Sequence, residues 1–281
     1  MSVGTVLVTG AGGQVGQELV ALLGDRAVGL SHAQLDITDA DAVRRAVDDL
    51  RPAAVIHGAA WTDVDACELD PERADLVNHL GARHVAEAAA AVGARLCYVS
   101  TDYVFDGTKP SPYVEDDPPA PASAYGRSKR AGELAVGPEA VVARTSWVCG
   151  RYGANMVKTI LRLAAEHDQL SFVDDQRGHP TFADGLAAKL VELIDREATG
   201  TFHVTHQGAV TWYQFAREVL TASGQDPDRV RPVATADLEP PRPAPRPANS
   251  VLENAALAAG GFELLGPHQP ALAALVDELA N

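Results

Sequence analysis

Cysteine is scarce: Cys67, Cys97 and Cys149 are the only three, far apart and with no CxxC pair. That spacing supports neither a zinc knuckle nor a disulfide framework and suits reduced thiols in a cytosolic protein. Basic residues are also few, 23 Lys and Arg against 38 Asp and Glu, for a net charge of −15. Such a balance disfavours gripping a nucleic-acid backbone over a broad face. It leaves room for a small anion in a locally positive pocket. No run approaches about 18 uncharged apolar residues, so no membrane span is expected. Residues 1–4 lead straight into an apolar strand, without the basic stretch and cleavage site of a secretory leader. These absences together predict a cytoplasmic protein with neither nucleic-acid nor membrane partners. The remaining composition, 46 % hydrophobic and 22 % charged over 281 residues, is ordinary for a globular protein and excludes bulk disorder.

The first half alternates short β-branched apolar runs with longer helical patterns. Strands are predicted at 5–9, 27–30, 54–57, 95–100 and 140–145. Helices are predicted at 14–23, at 39–50 with Thr38 as N-cap, at 71–92 with Pro71 at its start, and at 125–134. Strands apolar throughout and separated by helices imply a parallel sheet covered on both faces, a doubly wound, Rossmann-like α/β fold. After about residue 150 the alternation loosens. Helices are expected at 155–166, 181–196, 211–224 and 271–279, with short strands near Phe172, His203 and Val233. Residues 239–249 (EPPRPAPRPAN) are too proline-rich for a helix or internal strand and read as a rigid loop. The expected organisation is a dinucleotide-binding domain over 1–150 and a smaller C-terminal substrate-binding lobe over 151–281, from which returning segments can join the first domain.

The string Thr9-Gly10-Ala11-Gly12-Gly13-Gln14-Val15-Gly16 ends the first strand and opens the first helix. GxGxxG spacing fails at Val15, whereas GxxGxxG fits through Gly10, Gly13 and Gly16. Glycines there permit a tight turn, let backbone N–H groups approach a pyrophosphate, and let the helix pack close to the sheet. The helix N-terminus adds the positive end of its dipole. No carboxylate ends the second strand, where Ser31 and His32 stand. Asp36 has the expected spacing, twenty residues beyond Gly16, but it lies in a separate segment where it and Ile37 would border the adenine. The residues thus admit NADPH and do not exclude NADH. Small residues in His57-Gly58-Ala59-Ala60, at the end of a central strand, would let a cofactor lie across the sheet.

Ser100-Thr101-Asp102 ends another strand, and Tyr125-Gly126-Arg127-Ser128-Lys129 follows on a helix. Tyr125 and Lys129 are i and i+4 and share one helix face. A phenol is a sluggish acid at neutral pH, and a nearby ammonium stabilises its phenolate. The Thr101 hydroxyl can bond the same oxygen or a substrate carbonyl. Thr101, Tyr125 and Lys129 are therefore the candidate catalytic set.

With these motifs the chain resembles the extended short-chain dehydrogenase/reductases, and within them the dTDP-4-dehydrorhamnose reductase family. The resemblance covers nearly the whole chain. It rests on the glycine turn, Leu35-Asp36-Ile37-Thr38, and His57-Gly58-Ala59-Ala60-Trp61-Thr62-Asp63-Val64-Asp65 with Glu68. It continues through Val77-Asn78, Ser100-Thr101-Asp102-Tyr103-Val104-Phe105-Asp106-Gly107, the Tyr125 to Lys129 segment and Arg144-Thr145-Ser146-Trp147. Late matches are Asn155, Asp175-Gln176, Gly178, Pro180 and Arg246-Pro247-Ala248-Asn249-Ser250.

What the resemblance implies is NAD(P)H-dependent reduction at C4 of a dTDP-4-keto-6-deoxyhexose. Tyr125 would protonate the developing alkoxide, Lys129 would hold the nicotinamide ribose, and Thr101 would tune the phenol. Cofactor contacts would extend through Gln14, Val15, Ala59, Ala60, Trp61 and Thr62. The family pattern puts Asp102, Tyr103 and Trp147 beside the sugar. Arg242 and Arg246, in the proline-rich loop, are expected to face the diphosphate. Similar sugar-nucleotide dehydratases carry Asp-Glu after the Thr; here Tyr103 follows Asp102, which favours reduction over dehydration. The family often has Tyr where this chain has Cys149 and Trp61, which bears on the identity of the sugar. Some members bind magnesium near a Glu placed like Glu18; no ligand cluster accompanies it here, so no metal site is assigned. Dimers are common for such folds, and a homodimer is expected. The alternatives are a 4-ketoreductase for another nucleotide-activated deoxysugar and a non-catalytic NADP-binding subunit, like the regulatory subunit of methionine adenosyltransferase. The intact Thr101, Tyr125 and Lys129 speak against the latter.

Overall fold

Six short segments, β1 (Val6–Thr9), β2 (Ala27–Leu30), β3 (Ala54–His57), β4 (Arg95–Thr101), β5 (Val141–Thr145) and β6 (Gly200–His203), pair as one parallel sheet in the order β6-β5-β4-β3-β1-β2. The computed structural model describes residues 4–280; most of the 1–4 stretch read above as lacking a leader lies outside them, as does Asn281. The strands are apolar throughout because side chains alternate between two buried faces. Val6, Val8, Ala54, Ile56 and Val141 enter one core with helices Gln14–Leu23 and Ala183–Asp195. Leu7, Val55, Leu96, Tyr98 and Val142 enter the other, covered by helices Ala40–Leu50 and Gly81–Val92. From β1 the chain passes outward to β2, then returns across β1 to β3. This reversal opens a crevice at the carboxyl ends of β1 and β3, where open α/β sheets take ligands.

Two local readings are corrected. Thr38 is not the cap of the second helix: its hydroxyl donates to Asp36 Oδ1 at 2.8 Å, while Asp39 accepts the Ala42 N–H at 3.0 Å. The helix expected over 71–92 is helical throughout but uneven, with a π-turn at Leu76–Leu80 between Pro71–Asp75 and Gly81–Val92. Buried Asn78 sits in that turn. Its side chain clasps the Trp61 backbone on both sides, at 2.8 and 3.0 Å, and its carbonyl accepts the Tyr98 hydroxyl at 3.2 Å. The backbone ladder widens there, the Gly81 N–H reaching back five residues to the Leu76 carbonyl.

Beyond residue 150, helices Met156–Glu166, Trp212–Ala222 and His268–Ala280 enclose a third core around Val157, Ile160, Phe215 and Leu272. Short pairs accompany them: Leu170–Val173 with Val230–Val233, and Arg177–Gly178 with Val210–Thr211. The strand expected near His203 is β6 of the large sheet, and the helix expected over 181–196 starts only at Ala183, after a strand at Thr181–Phe182. Among the described residues no helix is long and apolar enough to cross a membrane.

Candidate active site

The crevice deepens into a cavity of about 410 Å³ at the carboxyl ends of β1, β3, β4 and β5. Gly10, Gly13, Gln14, Val15 and Gly16 of the glycine turn line it together with Thr101, Asp102, Tyr103, Tyr125, Lys129 and Trp147, and Ala60 and Thr62 join them. Gly10 has φ +72°, and a Cβ there would stand 2.6 Å from Ala59 N; one on Gly16 would stand 2.2 Å from the Gly10 carbonyl oxygen. Only glycine lets the turn, the helix and the end of β3 approach this closely. Helix Gln14–Leu23 starts at Gly13 with no side-chain cap, which leaves its first N–H groups for an anion.

Tyr125 and Lys129 lie one turn apart on helix Ala124–Val136. Ser123 accepts the Gly126 N–H at 3.1 Å, and Glu68 accepts the Ala124 N–H at 2.7 Å, so the first turn is tied to a neighbouring helix. Tyr125 is 8 % exposed, and burial pushes its phenol well above the usual range; the Thr101 hydroxyl opposes that shift. Thr101 has one proton to give: it donates to Asp102 Oδ1 at 2.9 Å and accepts the Tyr103 N–H at 3.2 Å. Lys129 donates to the Val99 carbonyl at 2.7 Å with its ammonium 4.1 Å from the Tyr98 ring centre. Burial lowers its pKa to about 7, against the pull of Glu133.

Glu133, one turn beyond Lys129, anchors the helix to the sheet. Its carboxylate accepts from Ser100 at 2.6 Å, from Arg144 at 2.8 and 2.9 Å, and from Arg130 at 2.8 Å. Burial alone would push this carboxyl up, but Arg144 and the other donors hold it below the ordinary range. Motif reading missed the anchor, because a Glu and an Arg on a helix and a distant strand leave no local signal. It also missed Ser146 and Thr145 as lining residues, although both directly precede Trp147.

Burial raises Asp102 from 3.8 to about 6, with the Ser250 and Thr101 hydroxyls opposing. Its Oδ2 is buried without a well-formed hydrogen bond. The folded state therefore binds this proton more tightly than the unfolded chain, and stability falls as pH rises from about 4 to 6. Asp102→Asn removes that penalty. Its Tm is expected to rise at neutral pH, by a stabilisation of roughly 1–3 kcal/mol, and to match the parent near pH 4. Calorimetry at both pH values checks this; an equal rise at both would show that the titration is not responsible.

Other expected site residues lie outside the cavity lining. Asp36 accepts the Thr38 N–H and hydroxyl, at 2.9 and 2.8 Å, and Ile37 is buried against Gly81. Ala59 backs Gly10, and Trp61 bonds Asn78 under the Arg73 guanidinium. Arg246 and Arg242 both pair with Asp65, at 2.9 and 3.4 Å, and Asp65 also accepts the Ala244 N–H at 3.2 Å. The proline-rich loop is thereby pinned beside Val64, which does line the cavity. At Glu18, the Arg151 guanidinium stands between two carboxylates, 2.8 Å from Glu18 and 3.3 Å from Glu278. Among the described residues no group of three His, Cys, Asp or Glu is placed to hold a metal. The donors around Glu18 do not fit magnesium.

Comparison with known proteins agrees with this geometry. The family model for the RmlD substrate binding domain matches residues 4–281. The dTDP-4-dehydrorhamnose reductase of Streptomyces griseus is 45 % identical over 278 residues, covering 95 % of this chain and 91 % of the relative. The dTDP-4-keto-6-deoxy-D-glucose reductase of Streptomyces niveus is 43 % identical, with 81 % of each chain covered. The dTDP-4-dehydrorhamnose reductase of Bacillus anthracis, solved in complex with NADP, superposes with a TM-score of 0.94 at 37 % identity, covering 99 % of this chain and 100 % of that one. The chain belongs to the RmlD family, the dTDP-4-dehydrorhamnose reductases of the extended short-chain dehydrogenase/reductases.

Proposed function

We propose that the chain is an NADPH-dependent reductase of the C4 ketone of a dTDP-4-keto-6-deoxyhexose, converting dTDP-4-dehydro-L-rhamnose to dTDP-L-rhamnose. One observation carries the reading: Tyr125, Lys129 and Thr101 converge on the same cavity as the glycine turn. When bound, NADPH supplies the hydride. The uncapped N-terminus of helix Gln14–Leu23 receives the dinucleotide diphosphate. Ser31 and His32 in place of an acidic residue after β2, and an Asp36 already engaged by Thr38, favour the phosphorylated cofactor.

Tyr125 gives its phenolic proton to the ketone oxygen as charge develops there. Lys129 holds the ribose hydroxyls, and its charge favours the resulting phenolate. Thr101 turns its single proton from Asp102 toward that phenolate. Asp102 Oδ2, buried near the Ser250 hydroxyl without a well-formed hydrogen bond, accepts from a sugar hydroxyl. Tyr103, edge-on to Tyr125 at 5.5 Å between ring centres, and Trp147 form the sugar's apolar walls. Arg242 and Arg246 exchange Asp65 for the sugar diphosphate. Residues beyond 150 serve as the substrate-binding lobe, apart from β6 and its preceding helix. The three buried free thiols suit a cytoplasmic enzyme. Leu69 and Leu134, exposed on neighbouring helices, suit burial in a homodimer.

The test is NADPH consumption with dTDP-4-keto-6-deoxy-D-glucose, with and without a 3,5-epimerase, and NMR of the product. Turnover only with the epimerase, giving dTDP-L-rhamnose, is expected. Turnover without it would identify a 4-ketoreductase for a different deoxysugar. Absence of turnover in both cases would leave a nucleotide-binding subunit.

A further inference from the structure

Trp147 lines the cavity with φ +45°, in the left-handed region that bulky side chains rarely adopt. Such a conformation persists only when its surroundings over-determine it. Its carbonyl accepts the Thr181 N–H at 3.2 Å, and its indole lies face to face on Trp212, with centroids 3.6 Å apart and planes 9° from parallel. Trp212 is the first residue of helix Trp212–Ala222, whose capping box pairs Thr211 with Gln214. Thr211 is itself fastened to Asp174 at 2.6 Å. Gly178 closes the clamp from another side: a Cβ there would stand 2.7 and 2.8 Å from Cε2 and Nε1 of the Trp147 indole.

We infer that Trp212 is a positioning residue: together with the bare backbone of Gly178 it fixes the Trp147 indole as the wall against which the sugar nucleotide binds. Trp212 itself stands outside the cavity lining. Helix Trp212–Ala222 thereby sets the shape of a site whose acid–base groups lie on a different helix. The inference rests on reading the cavity as the sugar-nucleotide site. A merely structural Trp212 would lower thermal stability on truncation and leave the substrate terms alone. A positioning Trp212 separates those terms, because the wall touches the sugar nucleotide and neither Tyr125 nor the dinucleotide.

The experiment compares the parent with Trp212→Ala, Trp212→Phe, Gly178→Ala and Trp147→Phe by steady-state kinetics, NADPH titration and circular dichroism. Two indoles this close shape each other's surroundings, so Trp212→Ala and Trp147→Phe should both alter the near-ultraviolet aromatic circular dichroism of the parent while the far-ultraviolet spectrum stays that of a folded chain. Trp212→Ala should raise KM for the sugar nucleotide roughly tenfold, with kcat and NADPH affinity changed far less. Trp212→Phe, which keeps an aromatic face, should restore most of the loss. Gly178→Ala should reproduce the KM rise with Trp212 intact, which keeps the test decisive if Trp212→Ala does not fold. An unchanged KM in Trp212→Ala and Gly178→Ala would overturn the positioning role. A folded parent that binds NADPH but reduces no dTDP-4-keto sugar would instead overturn the functional reading alone.

Discussion

Tyr125→Phe is expected to lower kcat for ketone reduction by about 10²–10⁴-fold, the usual worth of a positioned general acid. NADPH affinity should stay within about threefold, because Phe keeps the ring and removes only the proton donor. The geometry underlies this separation. In the proposed reading the dinucleotide's diphosphate is held by the backbone at the glycine turn and the start of helix Gln14–Leu23, with no part for the phenolic hydroxyl of Tyr125. The phenol is buried, so water cannot replace the missing donor freely. Single-turnover NADPH oxidation and a fluorescence titration of the nucleotide measure the two quantities independently. Retention of more than about a tenth of the parent rate would remove Tyr125 from its assigned role.

Arg144→Met should be the most destabilising change close to the site. Arg144 and Glu133 are 2 % and 6 % exposed, and their double hydrogen bond joins β5 to the helix that carries Lys129. Removing this cation leaves the buried carboxylate only Ser100 and the partly exposed Arg130, a loss of up to about 3–5 kcal/mol. For a chain of this size that is a Tm lower by roughly 6–15 °C. The double variant Arg144→Met, Glu133→Met should recover much of the loss, since two apolar groups of similar volume replace the pair. The sign of the pH dependence follows from Glu133, whose folded pKa is depressed. Its contribution is present above the ordinary carboxylate range and disappears as pH falls through the folded value. The gap between parent and Arg144→Met should therefore narrow in acid. Thermal scans across pH check this; a gap that widens in acid would assign the loss to packing of the arginine stem.

Much of this protein was legible in its sequence because the signals involved are local. The strand, glycine turn and helix over 6–23 follow from β-branched runs, from glycines that alone tolerate the close approach, and from a helical repeat immediately after them. Tyr125 and Lys129 share a face by helical periodicity, and the parallel sheet follows from strands apolar on both sides. These depend on neighbours a few residues away and on the one-way rule that continuous apolar strands must be covered.

Tertiary structure decided what depends on distant partners. The π-turn at Leu76–Leu80 forms where Asn78 is claimed by Trp61 and Tyr98. A strand from residues 200–203 completes a sheet that the first half of the chain begins. Arg242 and Arg246 meet Asp65 across 177 and 181 residues. The Trp147–Trp212 stack is likewise built from segments that come together only on folding. In each case a side chain has several competing local choices of similar energy. Long-range packing selects among them, because a buried polar or aromatic group takes the partner that satisfies it best.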